Sequence, residues 1–150
     1  MLKPILQLVG IFSLAFLWVA CNQSDEETVR QAENDVFAIH DDIMPLIDDV
    51  MKMRKVVKAR IASLDSAKAT GTATLRLDEE RDQAQRIVRD LNVADSLMMR
   101  WMDQYKNDTI ASLSTKDALR YLDQQKEQIS DVKTKINNSL SEATTFMAKP

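Results

Sequence analysis

Residues that form turns are almost absent from this 150-residue chain once its first twenty positions are passed. Cys21 is followed by one glycine, Gly71, and by two prolines, Pro45 and the terminal Pro150. A domain built from short strands needs a turn about every 8–12 residues. The composition therefore predicts an all-α fold, in which three long antiparallel helices form an up-down-up bundle.

The spacing of apolar residues predicts a first helix from Glu26 to about Ser66. Its apolar residues recur at steps of three and four, which is the pattern of one helix face. We expect a kink or a restart of this helix near Pro45, because proline removes a backbone donor and clashes with the preceding turn. The inward residues are predicted to be Val29, Ala32, Val36, Ile39, Ile43, Leu46, Val50, Val57, Ile61 and Leu64.

Two further helices follow from the same reasoning. The small and polar segment 68–74 is the first predicted loop, segment 107–109 is the second, and Ser114 or Thr115 can cap the third helix. The spacing resembles a coiled coil in places, but both loops are short enough to fold back, so we expect a monomeric bundle. The inward residues are predicted to be Leu77, Ala84, Ile87, Val88, Leu91, Ala94, Met98, Met102 and Tyr105, then Ala118, Leu122, Ile129, Val132, Ile136, Leu140, Ala143 and Met147.

The start of the chain has the pattern of a secretory signal peptide. Lys3 precedes an uncharged run that ends at Ala20, and Cys21, the only cysteine, follows at once. The segment 17–21 resembles the lipobox of bacterial lipoproteins, with Trp18 where leucine is usual. We therefore predict a lipoprotein signal peptide over 1–20, a lipidated (palmitate-bearing) Cys21 with a short tether over 21–25, and a helical bundle domain over 26–150. The alternative is an uncleaved anchor, although the run falls short of a span of about 20 residues.

A lipidated cysteine places the protein in the bacterial cell envelope, as an outer membrane lipoprotein. Ser24-Asp25-Glu26-Glu27 resembles the acidic export signals that send some Bacteroidota lipoproteins to the cell surface. The same residues form a capping box, in which Ser24 and Glu27 satisfy the first backbone N–H groups of a helix. Periplasmic-facing and surface-exposed orientations therefore both remain open.

Charge and residue content argue against several classes of function. Beyond Lys3 the chain holds 19 basic and 23 acidic residues, a net charge of −4. This mild and evenly mixed charge does not favour nucleic acid as a partner. A second histidine and a glycine-rich loop are missing, and lipidation would consume the one thiol, so we expect a non-catalytic protein. Its expected partners are the membrane, through the lipid on Cys21, and an envelope protein.

One group of residues has the chemistry of a metal site. His40 and Met44 lie one turn apart, and Met98, Met99 and Met102 surround Trp101. A hairpin that pivots at Gly71 places His40 opposite position 101. Thioethers and imidazole suit Cu(I), whereas the simpler interpretation is that methionine fills gaps in the core and no cofactor binds.

Asp95 falls within the apolar stripe of the second helix. A buried carboxylate must be paired or neutral. A His40–Asp95 pair would fit the geometry of the hairpin, and His40 could alternatively donate to Asp41. The acidic pairs 41–42 and 48–49 are predicted to point outward.

Two segments carry a resemblance to a known group. Residues 38–45, Ala-Ile-His-Asp-Asp-Ile-Met-Pro, resemble small Bacteroidota lipoproteins that have a His-Asp-acidic-aliphatic-Met-Pro motif in their first helix. Members of this group are often labelled hypothetical or viral A-type inclusion protein-like. Residues 95–102 resemble the second segment of the group, where methionines precede a tryptophan. The resemblance implies that the two segments belong together, and it implies no enzymatic activity.

Overall fold

The protein is entirely helical in the part described by a computed structural model. The structure describes the backbone of residues 3–71 and 74–149, and the side chains of 25–71 and 74–149. Four helices are present there: α1 (Lys3–Ala69), α2 (Leu75–Gln104), α3 (Asn107–Ile110) and α4 (Thr115–Met147). The predicted all-α class is confirmed. The predicted signal peptide and Cys21 lie outside the described side chains.

Helix α1 continues through Pro45, whose side chain is exposed. Of the kink or restart expected near Pro45, the restart does not occur, because the helix is continuous there. Proline is tolerated because a helix can lose a single backbone hydrogen bond where the freed carbonyl faces water. The residues of α1 before and after Pro45 consequently belong to one element.

The helix ends follow local backbone chemistry. Gly71 has a φ of +82°, which a glycine adopts without steric cost, and it ends the turn after α1. Thr74 accepts a hydrogen bond from the Leu77 N–H at 3.3 Å and caps α2. Ser114 accepts from the Asp117 N–H at 3.2 Å and caps α4, as predicted. The short helix α3 replaces the predicted second loop.

The core repeats every seven residues. From Asp25 onward, the buried residues of α1 are Val36, Ile43, Val50, Val57 and Leu64, each seven positions after the last. Those of α2 are Ala84, Ile87, Leu91, Ala94, Met98 and Trp101, and those of α4 are Ala118, Leu122, Gln125, Ile129, Val132, Ile136, Ser139, Ala143 and Phe146. Alternating steps of three and four are the core pattern of coiled coils. Trp101, Gln125, Ser139 and Phe146 were not among the predicted inward residues.

The three long helices all contact one another, and we call each line of contact a seam. Charged residues beside the core positions bridge two of the seams. The α1–α2 seam is bridged by Arg54–Asp95, Arg60–Glu80, Arg81–Asp65 and Lys68–Asp78, and the α1–α4 seam by Lys126–Asp35 and Lys133–Asp42. The hydrogen bond from Lys126 holds the pKa of the Asp35 carboxyl below its usual value.

Candidate functional site

His40 lies on α1 against the α2 tryptophan. Its side chain is 20% exposed, and its ring centroid is 5.6 Å from that of Trp101. Its Nδ1 lies 2.9 Å from Oδ1 of Asp41, the next residue along the chain. The predicted meeting of His40 with position 101 is therefore confirmed, and one ring nitrogen is held by a carboxylate.

Four more aromatic contacts extend from this pair. Trp101 is 5.3 Å from Tyr105, and Tyr105 is in turn 6.0 Å from Tyr121 of α4, all between ring centroids. Phe37 meets both His40 and Tyr105 edge to face. The five rings form one cluster that joins α1, α2 and α4 at a single level.

Tyr105 also links the cluster to a carboxylate of α1. Its hydroxyl donates a hydrogen bond to Oε1 of Glu33 at 3.2 Å. Burial, reinforced by the negative charge of Glu33, raises the pKa of Tyr105 well above its usual range. The phenol therefore stays protonated and acts as a hydrogen-bond donor.

The five predicted metal ligands do not share one environment. Met98 is fully buried in the core, Met102 packs partly buried against it, and Met44 and Met99 are exposed. Met98 therefore fits the simpler interpretation, in which the thioether of a methionine fills space in the core.

Helix position nevertheless relates the other four to one seam. Arg54 and Asp95 bridge the α1–α2 seam. His40 lies fourteen residues, or two core repeats, before Arg54. Met102 lies seven residues, or one core repeat, after Asp95. Met99 lies seven after Asn92, whose side-chain oxygen also accepts from Arg54. Met44 is one turn beyond His40. Equivalent positions in a seven-residue repeat face the same way, so these four residues flank the α1–α2 seam.

Of the two carboxylates expected as partners of His40, Asp41 is the one it contacts, and the His40–Asp95 pair is not formed. Asp95 accepts a hydrogen bond from Nη1 of Arg54 at 3.0 Å, and His40 is engaged by Asp41. The long guanidinium side chain reaches across the seam to a carboxylate that is only 24% exposed. Asp95 is therefore satisfied as an ion pair, as a half-buried carboxylate requires.

The two acidic pairs of α1 are solvated. The side chains of 41–42 and 48–49 are exposed, as predicted. Within the residues whose side chains are described, no group of three or more His, Cys, Asp or Glu converges in the manner of a metal site.

Among the side chains that the structure describes, two buried polar atoms lack a hydrogen-bond partner, and sequence reasoning did not identify either. These are Nε1 of Trp101 and Oε1 of Gln125, both enclosed in the core. Gln125 sits three residues after Leu122 and four before Ile129, which is a core position. This spacing was a signal for its burial, although its polarity suggested a surface residue.

No protein-family model, curated protein or solved structure matches this chain. Within the described part of the chain, none of the helices contains a segment both long and apolar enough to traverse a membrane.

Proposed function

We propose that the chain is a lipid-anchored lipoprotein of the bacterial cell envelope, with a non-catalytic binding or scaffold role. Its described part would be an up-down-up antiparallel bundle of α1, α2 and α4, in which α1 changes direction near Pro45. The observation that supports a binding or scaffold role is the apolar composition of the core. Apolar residues occupy nearly every core position from Val36 to Leu64 and along α2 and α4, so recognition would take place on the outer surface.

Residue pairs across the seams support the antiparallel arrangement. Glu33 meets Tyr105, Arg54 meets Asp95, and Lys68 meets Asp78. Residue numbers fall along α2 as they rise along α1, which is the order expected for neighbours that run in opposite directions.

The proposed anchor at Cys21 would lie at the same end of the bundle as the connection between α2 and α4. A cavity there of ≈ 440 Å³ is lined by Asp25 and Val29 of α1 and by Ile110 and Leu113 near α3. Helices of 30 and 33 residues extend about 45–50 Å at roughly 1.5 Å per residue. A lipid on Cys21 would thus hold one end of a rod at the membrane and leave its sides available to a partner.

Lipidation can be tested with the full chain in a bacterial host. Metabolic labelling with palmitate should mark the wild-type protein and place it in the outer membrane fraction, whereas Cys21→Ala should lose both the label and that location. Ser24→Ala, a matched nearby substitution, should retain the label. An unlabelled wild-type chain would overturn the proposed anchor.

The binding role needs a separate experiment. Crosslinking in intact outer membranes, followed by capture of the chain, should recover a defined envelope protein. Recovery of no partner above the background of an unrelated lipoprotein would count against the binding role, while leaving the anchor to the labelling experiment.

A second candidate function, binding of Cu(I), is favoured by the setting of His40. Within the described residues only Nδ1 of its ring is hydrogen-bonded, to a carboxylate, which leaves Nε2 available. A histidine that ligates a metal is usually oriented by such a carboxylate on its other nitrogen. Met44, Met99 and Met102 flank the same seam and supply soft ligands.

Titration of the Cys21→Ala chain with Cu(I) under reducing conditions tests this candidate. Binding tighter than micromolar that is lost in His40→Ala would support it. Met51→Leu serves as the control, because Met51 is an exposed methionine seven residues beyond Met44. Absence of tight binding, or binding unaffected by His40→Ala, would remove copper from consideration.

A further inference from the structure

The outer face of α1 carries its charges in two separate groups. Between positions 38 and 63, every exposed acidic residue precedes position 50 and every exposed basic residue follows position 51. The two arginines of this stretch, Arg54 and Arg60, instead reach α2, where each pairs with a carboxylate. The exposed charge therefore changes sign once, at the middle of the stretch. The acidic group is Asp41, Asp42, Asp48 and Asp49, and the basic group is Lys52, Lys55 and Lys58.

Three members of these groups have no ionic partner. Asp48, Lys55 and Lys58 form no ion pair among the described residues. Asp48 and Lys55 lie one seven-residue repeat apart, so they face the same way, outward from the core. Lys52 pairs with Asp49 on the exposed surface, where such a pair contributes little stability. The charges of this face are therefore available to a group outside the chain.

Apolar side chains are exposed on the same stretch. Met44 is 38% exposed, and Met51 and Val56 are each 46% exposed. Met51 lies at the point where the charge changes sign, and Met44 lies one repeat before it. Covering large apolar side chains is favourable. The outer face of α1 thus offers apolar contacts as well as charges to a second surface.

The neighbouring helices border this stretch with uncharged residues. On α4, the row of Lys133, which pairs with Asp42 of α1, continues with Leu140 and Met147. On α2, the row of Asn92, which contacts α1, continues with Met99. Neither continuation sets a charge against the two groups of α1.

We propose that this face of α1 is a self-association surface, on which two copies pack with their first helices antiparallel. A two-fold axis perpendicular to the helices passes between positions 50 and 51, so that position 49 of one copy lies level with position 52 of the other. The acidic stretch 41–49 of each copy then lies opposite stretch 52–60 of the second copy, whose exposed charges are all basic. The two copies of Met51 meet beside the axis. A face that reverses its charge about its own midpoint is complementary to itself.

The pairing leaves the core of each chain intact, because the second copy adds only to the outside. It also places the first residues of the two copies at opposite ends of the dimer. Both lipids would reach one membrane with the rods lying along its surface, since a two-fold axis normal to the membrane gives the two copies the same orientation toward it. The proposal rests on α1 alone, and the palmitate labelling of Cys21 tests the anchor independently of it.

Charge reversal with mixing of variants tests the pairing. The full chain, purified in detergent, is analysed by sedimentation velocity over a range of concentrations. We expect a reversible monomer–dimer equilibrium for the wild type. Lys55→Glu and Asp48→Lys should each raise the dissociation constant by about tenfold or more, because each sets like charges against one another across the axis. An equimolar mixture of the two variants should regain the dimer, since residues 48 and 55 then carry opposite charges in every contact between the copies.

The matched control is Lys116→Glu, which makes the same change at an exposed lysine of α4 outside this face and should sediment as the wild type does. A monomeric wild type would show that the face serves a different partner, and would overturn the proposal. A dimer unchanged in both reversals, or a mixture that behaves as the sum of its components, would also overturn it.

A disulfide experiment tests the direction of the pairing. In the Cys21→Ala chain, Met51→Cys places a thiol beside the axis and should give a covalent dimer on oxidation. Met44→Cys should not, because the two copies of residue 44 would be about 13 positions apart, or roughly 20 Å along the helices. Equal crosslinking of the two variants is the result expected for parallel helices, and would overturn the antiparallel arrangement.

Discussion

Nη1 of Arg54 donates a hydrogen bond to Oδ2 of Asp95 at 3.0 Å across the α1–α2 seam. Both side chains are about one quarter exposed, at 23% and 24%. The same Nη1 also reaches the side-chain oxygen of Asn92 at 2.9 Å. This guanidinium therefore satisfies two acceptors of α2, and its loss leaves a half-buried carboxylate without a partner.

We expect Arg54→Ala to lower the free energy of unfolding by about 1–3 kcal/mol, because an unpaired carboxylate in this position keeps its desolvation cost. Urea denaturation followed by circular dichroism measures the change. Lys52→Ala is the control, because Lys52 pairs with Asp49 on the exposed surface, where a pair contributes about 0–1 kcal/mol. Equal losses in the two variants would show that the Arg54–Asp95 contact does not stabilise the fold.

Core burial can be tested with two identical substitutions in α1. Val50 is fully buried, whereas Val56 is 46% exposed. Val50→Ala should cost about 1.5–3 kcal/mol through lost burial and the cavity left behind, and Val56→Ala should change stability by less than about 0.5 kcal/mol. The two variants are compared by their denaturant midpoints, which report stability when the dependence of the unfolding free energy on denaturant concentration is unchanged. Similar midpoints for the two variants would contradict the assignment of inner and outer faces.

Gln125 occupies a core position with its side-chain oxygen unsatisfied. Gln125→Leu should raise the free energy of unfolding by about 1 kcal/mol or more, because it removes the desolvation cost of a polar group. The neighbouring exposed residue offers a control, since Gln124→Leu should have little effect. A destabilised Gln125→Leu variant would show that the amide makes a contact that stabilises the fold.

The raised pKa of Tyr105 can be observed directly, since the chain has two tyrosines. In the Tyr121→Phe variant, phenolate absorbance near 295 nm should appear only well above the ordinary tyrosine value of about 10. Urea should restore the ordinary value. Because the folded pKa is raised, the associated stability is fully present below about pH 10 and is lost as pH rises toward the folded pKa. Ordinary titration in the folded state would disprove the burial and the Glu33 contact.

Much of the fold could be predicted from spacing alone. The shortage of glycine and proline indicated helices, and steps of three and four located all the described buried residues of α1 and most of those of α2 and α4. Ser114 was identified as a cap because its hydroxyl can accept from the backbone N–H of Asp117. The helix α3 could not be predicted in this way, because four residues make a single turn that has no periodicity to detect.

The candidate site was predicted less completely. Hairpin geometry predicted that His40 lies opposite Trp101, but it could not predict which side chain would reach Asp95. Arg54 lies farther along α1 than His40 and is long enough to cross the seam. Gln125 was missed for a related reason, since polarity usually indicates a surface position and only the packing of three helices places it inside.

The seven-residue spacing from Val36 to Leu64 divides the long helices into equal repeats, each of which contributes one layer to the core. Removing one repeat from each long helix at the same level would bring every remaining layer back into register, and would shorten the molecule by about 10 Å. Removing two or five residues would instead turn core positions toward water, because neither number is close to a whole number of helical turns. The distance between the two ends of the bundle can therefore change only by whole seven-residue repeats if the core is to be preserved.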